Sequence, residues 1–302
     1  MKAGFGRREI QVELPTSTIY CKGTGKCINE ILDRIYASVI IWEEGDLRGA
    51  FFTFDLLAVP SSFTATLRRR LESLGFNSEA VALNATHTHT APTFCQFRGI
   101  EEIENFENKM EEICLKAVEE AQEDMEETTP YWGKSLCNLN VNRREIGRIA
   151  QINDLNAPSG NVDPEVTVLM FRRRRRPSII LVNYAAHPLT ITNNPYVISA
   201  DYPGRLVRYL EKTHKVYAQF LQGAAGNANI KIHGDDEVSW KAARILGEKV
   251  SEAIKRLKEI SLTEVKAEVR RVNLPLDIDG TLRDQRKELN RLDGDHSWRS
   301  GP

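Results

Sequence analysis

The residues EVTVLMFRRRRRPSIILVNYAAHP, Glu165 to Pro188, hold two apolar runs on either side of five consecutive arginines. Both runs, Glu165–Phe171 and Ile179–Ala186, are rich in β-branched and aromatic residues, which favours strands. Arg172–Arg176 is followed at once by Pro177, so we expect a hairpin with a solvated arginine tip. Neither interleaved aromatics nor a basic helix face accompanies the arginines, and no nucleic-acid partner is predicted.

Further strands and helices are predicted on both sides of this hairpin. Ala37–Trp42 and Leu47–Leu57 read as paired strands around the turn Glu43–Asp46. Further strands are predicted at Ala80–Ala85, Val216–Leu221 and Thr263–Leu276, and amphipathic helices at Ser61–Leu74, Glu101–Glu123, Asp201–Lys212 and Val238–Lys258. Hairpins mixed with strand-helix-strand units predict an α/β (α+β) fold, with mixed sheets layered against helices, rather than a parallel barrel. We expect one domain over residues 1–302.

The charge and hydrophobicity of the chain limit the kinds of partner that it can attract. The formal net charge of -1 provides no overall field that would attract nucleic acid. No window is apolar enough for a transmembrane segment or a signal peptide, so a cytoplasmic location is expected. The five cysteines lack the CxxC spacing of zinc ribbons and are expected to be reduced thiols.

Histidines cluster where predicted strands end. Asn84 to Pro92 reads NATHTHTAP, which places His87 and His89 directly after an apolar strand. Residues two apart in an extended chain point to the same face, so both imidazoles would reach one cleft. His187 precedes Pro188 at the end of another strand. Imidazole is the commonest nitrogen ligand of zinc, which makes these strand ends a candidate metal site.

Five ordered segments give the chain a family resemblance. They are Thr86-His87-Thr88-His89, the Asn140–Arg144 segment, His187-Pro188, Ser199–Gly204 and the glycine loop Gln222–Asn227. Together they resemble the neutral/alkaline ceramidases, from Met1 to about Ile230. The resemblance implies a Zn²⁺-dependent hydrolase of an N-acyl amide, acting in sphingolipid metabolism.

The resemblance also implies roles for individual residues. His87 and His187 would be zinc ligands, His89 would contact the metal-bound water, and Arg143 would hold that water or the substrate carbonyl. Asp55, Asp201 and Asn229 are candidates for orienting a ligand or binding substrate. A strand-end aspartate such as Asp55 equally caps a turn, and Asp201 most simply caps its helix.

The chain departs from the family at two points. The family completes its zinc site with a later glutamate and tyrosine that find no match before Pro302, so we expect a catalytic domain truncated at its C-terminal end. Asn229 stands at the position of the family's serine. Asparagine is no nucleophile, which favours direct attack by zinc-bound hydroxide on a small-molecule or lipid amide. Two alternatives remain: a non-catalytic or incomplete metal-binding relative, and a metal hydrolase of the amidohydrolase-barrel type.

Overall fold

The predicted strands near the amino terminus assemble into a first mixed sheet. The computed structural model describes residues 1–21, 24, 26–92, 106–145, 153–262, 265–270 and 272–273. The sheet has the order β4-β3-β2-β1-β5, formed by Val81–Ala85, Leu47–Phe54, Tyr36–Glu44, Lys2–Glu9 and Glu126–Glu127. The strands β3 and β4 run parallel, and the other neighbours are antiparallel.

A second sheet repeats this arrangement. Its order is β10-β9-β8-β6-β12, formed by Tyr217–Gln222, Ile179–Tyr184, Glu165–Arg172, Thr129–Leu136 and Lys258–Glu259. Again the two strands at one edge, β9 and β10, run parallel and the other neighbours are antiparallel. The short strands β7 (Asn140–Asn142) and β11 (Ala228–Ile230) pair separately. The two halves share a topology although the sequence shows no repeat.

The four described helices cover the outer faces of the two sheets. Helices α1 (Ser61–Glu72) and α2 (Phe106–Glu123) pack on the first sheet, and α3 (Asp201–His214) and α4 (Asp236–Ile254) on the second. Between the sheets lies a third apolar cluster that contains Phe5 and Ile40 from one sheet and Phe171 from the other. The predicted mixed α+β fold is therefore confirmed as a helix-sheet-sheet-helix sandwich, and a barrel is wrong for the described strands.

Strand β1 was not predicted because its apolar alternation is interrupted by glycines. Helix α2 crosses this strand so closely that a Cβ at Gly4 or Gly6 would lie 1.9 Å from the carbonyl oxygen of Ala121 or Ala117. Glycine is required here by close backbone approach, and it removes the hydrophobic signal that predicts a strand.

Two local predictions need correction, and part of a third lies outside the described residues. The fourth helix begins at Asp236, earlier than predicted, because Asp235 caps it by accepting hydrogen bonds from the amides of Glu237 and Val238. The strand predicted at 263–276 is absent from its described residues, 265–270 and 272–273, and the two-residue β12 completes the sheet edge instead. Of the helix predicted at 101–123, residues 101–105 lie outside the described ranges.

The arginine tip is less solvated than predicted. The Arg173 side chain is buried and contacts the carboxylate of Asp124 at 2.5 Å, because the turn folds back onto the end of α2. The backbone amides of Arg174, Arg175 and Arg176 donate to the Glu126 carboxylate. The charge run thus joins the two sheets at the end of the molecule away from the histidines.

The described cysteines, Cys21, Cys27, Cys114 and Cys137, are unpaired, in agreement with the prediction of free thiols. None of the described helices has the length and apolar character needed to cross a membrane.

Candidate metal centre

Three histidines from different strand ends converge at one edge of the sandwich. Each of His87, His89 and His187 offers a ring nitrogen, and these atoms all lie within 4.8 Å of one another. The packing of the two sheets brings this about, because β4, which leads to His87, lies against β10, the neighbour of the strand β9 that leads to His187. Asn84 of β4 and Gln222 of β10 exchange backbone-to-side-chain hydrogen bonds that join the two sheets here.

His87 reaches the cluster through a backbone kink rather than through strand alternation. Strand β4 ends at Ala85, and His87 has a left-handed φ of 68°, which is costly for a non-glycine residue. Its amide donates to the Leu56 carbonyl at 3.0 Å and its Nδ1 lies 2.7 Å from the Leu57 carbonyl oxygen. A carbonyl only accepts, so Nδ1 carries the proton and Nε2 presents a lone pair to the cluster.

His187 is held in the same way. Its amide donates to the Ala228 carbonyl, and its Nδ1 lies 2.6 Å from the Ala225 carbonyl oxygen. Its Nε2 stands 3.2 Å from Nε2 of His87. Two neutral acceptor nitrogens at this distance repel each other unless a proton or a cation lies between them. Ligand histidines in metal proteins have this same carbonyl-bound Nδ1, so the pair fits a bound metal ion.

His89 completes the group. Its ring centroid lies 5.1 Å from that of His87 and 5.8 Å from that of His187, and its buried Nε2 has no hydrogen-bond partner among the described residues. Burial, followed by the nearby His87, lowers the pKa of His89 to about 3 and that of His187 to about 4. Both imidazoles are therefore neutral at neutral pH, which is the form that binds metal.

Threonines between the histidines fix the segment from its other side, a role that the sequence reading missed. Thr88 and Thr90 both donate their hydroxyls to the Ser199 carbonyl, at 2.9 and 3.0 Å, and the Ser199 amide donates back to the Thr90 carbonyl. The threonines are fully buried while the histidines face the cleft. The alternation of threonine with histidine in this segment could have predicted this role, because alternate residues of an extended chain face opposite sides.

Arg143 lies at the edge of the cluster. Its Nε and Nη2 donate to the Gly226 carbonyl at 3.1 and 2.7 Å, and its amide donates to the Asn227 carbonyl. The guanidinium is close enough that its charge contributes to the lowered pKa of His89 and His187. The glycine loop therefore holds a fixed positive charge beside the histidines.

Asn229 lies directly beside the second ligand candidate. It forms an isolated parallel β-bridge with His187, and its buried Oδ1 has no hydrogen-bond partner among the described residues. An unpaired amide oxygen next to the cluster is available to accept a hydrogen bond from a bound molecule.

Asp201 does not cap α3 as the sequence predicted. The helix has no side-chain cap, and the buried carboxylate instead accepts hydrogen bonds from the Thr190 amide and hydroxyl, from the Ile191 amide and from the Tyr202 amide. Its own φ is 52°. The carboxylate reaches back to the loop that follows His187 because this loop crosses the start of α3, and it fixes the exit of the His187 segment.

We expect Asp201→Asn to weaken binding of a divalent metal ion by the three-histidine cluster about 10- to 100-fold, because asparagine tolerates the left-handed backbone but cannot satisfy the same set of donors. Competition with a chromophoric chelator measures the Kd. Asp235→Asn, at the start of the next helix, is the matched control and should leave the Kd unchanged. An unchanged Kd in Asp201→Asn would contradict a positioning role.

Asp55 follows β3 and accepts a hydrogen bond from the Tyr36 amide at 3.0 Å. The described hydrogen bonds of the His87 ring lead to Leu57 and His187 rather than to Asp55. Burial raises the pKa of the Asp55 carboxyl from 3.8 to about 7, against the lowering effects of the Tyr36 amide and of Arg7.

This pKa predicts a pH-dependent stability. Between about pH 4 and pH 7 the folded protein keeps a proton on Asp55 that the unfolded chain has lost, so the free energy of unfolding falls as the pH rises through this window. Asp55→Asn should remove a decline of roughly 2–4 kcal/mol in urea titrations across the window. Asp46→Asn, in an exposed turn, is the control. Parallel curves for the Asp55→Asn variant and the unmodified protein would refute the assignment.

A mixed α+β sandwich with three convergent histidines at its strand ends defines a protein with a candidate metal centre. Residues 24–235 match the family described as neutral/alkaline non-lysosomal ceramidase, N-terminal. The chain belongs to this family, which confirms the resemblance seen in the sequence.

Two solved structures share the fold. One is neutral ceramidase from Pseudomonas aeruginosa, with a TM-score of 0.72 and 21% identity over 84% of this chain and 45% of that one. The other, described as ceramidase complexed with C2, has the same TM-score and identity and covers 84% of this chain and 44% of that one. The chain spans less than half the length of either structure. No curated protein matches the sequence.

Proposed function

We propose that this chain carries the metal centre of a zinc-dependent hydrolase that cleaves the amide bond of an N-acyl compound, as a ceramidase does. The observation that supports this most directly is the pair of Nε2 atoms of His87 and His187, 3.2 Å apart, with both Nδ1 atoms committed to carbonyls. Family membership supports the amide substrate.

His87 and His187 would hold the zinc. When bound, zinc lowers the pKa of a coordinated water to about 7 and polarises a carbonyl. His89 Nε2, neutral and without a partner among the described residues, is suited to take a proton and return it to the leaving amine. Arg143 would supply positive charge to the carbonyl oxygen, and Asn229 Oδ1 would accept a hydrogen bond from the substrate amide.

The side chain at 229 also bears on the route of the reaction. An asparagine amide cannot form an acyl ester, so the proposal includes direct attack by water rather than an acyl-enzyme. The substrate would be a lipid or a smaller N-acyl amide. A non-catalytic metal-binding relative is the competing proposal.

The test is release of free amine from a short-acyl ceramide and from an N-acyl amino acid by the zinc-loaded protein. We expect turnover of at least one substrate, and a loss of about 10²- to 10⁴-fold in His89→Gln with zinc retained. His214→Gln, a half-buried histidine in α3, is the matched control. Stoichiometric zinc without release of amine would favour the non-catalytic relative, and loss of zinc from His89→Gln would make His89 a third ligand.

A further inference from the structure

A narrow cavity lies between the two sheets, behind the His87 segment. It is lined by Ser38 and Thr53 of the first sheet, by Asp55 after β3, by Thr86 after β4, and by Gln219 of the second sheet. It offers about 30 Å³ of space for the centres of water-sized molecules. A buried water needs roughly 10–15 Å³ on this measure, so there is room for about two.

Three polar atoms in the cavity wall lack hydrogen-bond partners. Thr53 Oγ1, Thr86 Oγ1 and Gln219 Oε1 are buried and unpaired within the described part of the chain, on residues that are 4%, 1% and 1% exposed. A buried hydroxyl or amide oxygen without a partner costs about 1–3 kcal/mol. Three such atoms in the wall of one cavity indicate that a polar molecule occupies the cavity and binds them.

The charges in the cavity wall indicate a neutral occupant. The arginines that line it already pair with carboxylates, in the ion pairs Arg7–Glu211, Arg208–Asp33 and Arg34–Glu9. A further cation would lie among three guanidinium groups, and an anion would face the Asp55 carboxyl without a free guanidinium to bind it. Water suits both conditions because it both donates and accepts hydrogen bonds.

We infer that this cavity is an internal water site, in which about two ordered waters bridge Thr53, Thr86, Gln219 and Asp55 across the two sheets. The inference does not depend on the proposed hydrolase activity. The raised pKa of Asp55 agrees with it, since a protonated carboxyl can donate to a water that also binds an acceptor.

The site connects to the metal centre through the backbone. Thr86 donates its amide to the Phe54 carbonyl, and the next residue, His87, donates to the Leu56 carbonyl. Waters that hold the side chains of Thr53 and Thr86 therefore support the end of β4, from which His87 extends, and the neighbouring end of β3.

Thr53→Val tests the inference through the sign of its effect. Valine has the shape of threonine but no hydroxyl. If water binds Thr53 Oγ1, the variant leaves that water without one of its hydrogen-bond partners and lowers Tm by about 2–4 °C. If the cavity is dry, removal of an unpaired hydroxyl raises Tm or leaves it unchanged, which would overturn the inference. Thr129→Val, on the half-exposed start of β6, is the control and should shift Tm by less than about 1 °C.

A crystal structure of the unmodified protein gives a second test that does not depend on any variant. We expect ordered water density within hydrogen-bonding distance of Thr53, Thr86 and Gln219. An empty cavity at a resolution that shows other buried waters would refute the water site.

Discussion

The His87→Ala and His187→Ala variants are each expected to bind less than about a tenth of the zinc bound by the unmodified protein, because a site with few protein ligands cannot lose one and hold the metal. The two Nε2 atoms lie 3.2 Å apart with their lone pairs facing each other, so a bound metal ion would satisfy both of them. The measurement is zinc content by inductively coupled plasma mass spectrometry after dialysis into metal-free buffer.

His214→Ala is the matched control for these variants. His214 is the last residue of α3, and its Nε2 lies 2.8 Å from the Ser251 hydroxyl of α4. Its removal takes away one histidine and leaves the three-histidine cluster unchanged. Zinc near one equivalent in the control and its loss in both cluster variants would establish a shared site. Retention of zinc by either variant, or an unmodified protein that binds none, would contradict the proposal.

Asp33→Ala is expected to lower the free energy of unfolding by roughly 3–5 kcal/mol, because it leaves a buried arginine without its counter-ion. Asp33 binds Arg205 at 3.0 Å and Arg208 at 2.7 Å, and it accepts hydrogen bonds from the Ser199 hydroxyl and the Ala200 amide. Arg205 is 1% exposed. Its remaining carboxylate partner, Asp236, is half-exposed and does not replace a buried charge.

Urea denaturation measures this change. Glu9→Ala is the control, because Glu9 pairs with Arg34 on the surface, where the side chains are 40% and 70% exposed and the pair contributes less than about 1 kcal/mol. Equal losses of unfolding free energy in the two variants would show that the buried ion pairs of Asp33 stabilise the protein no more than a surface ion pair does. The network also carries Ser199, whose carbonyl anchors the threonines of the histidine segment, so Asp33→Ala should weaken zinc binding as well.

Elements with a strong local signal were predicted closely. The hairpin of β8 and β9 lies within two residues of its predicted bounds, and α3 begins at the predicted residue, because hydrophobic periodicity and turn residues act over a few positions. Strand β1 was missed because its glycines serve a long-range contact with α2. Arg173 was misplaced for the same reason, since its partner Asp124 lies 49 positions away.

The sequence by itself determined the family, the mixed α+β class and the presence of histidines at two strand ends, because these depend on motif order and local periodicity. Only the tertiary structure decided which nitrogens meet. The packing of β4 against β10 brings the Nε2 atoms of His87 and His187, 100 positions apart in the sequence, to 3.2 Å from each other. The carbonyls of Leu57 and Ala225 fix the proton on Nδ1 of each ring. Such contacts join distant segments, and no local pattern encodes them.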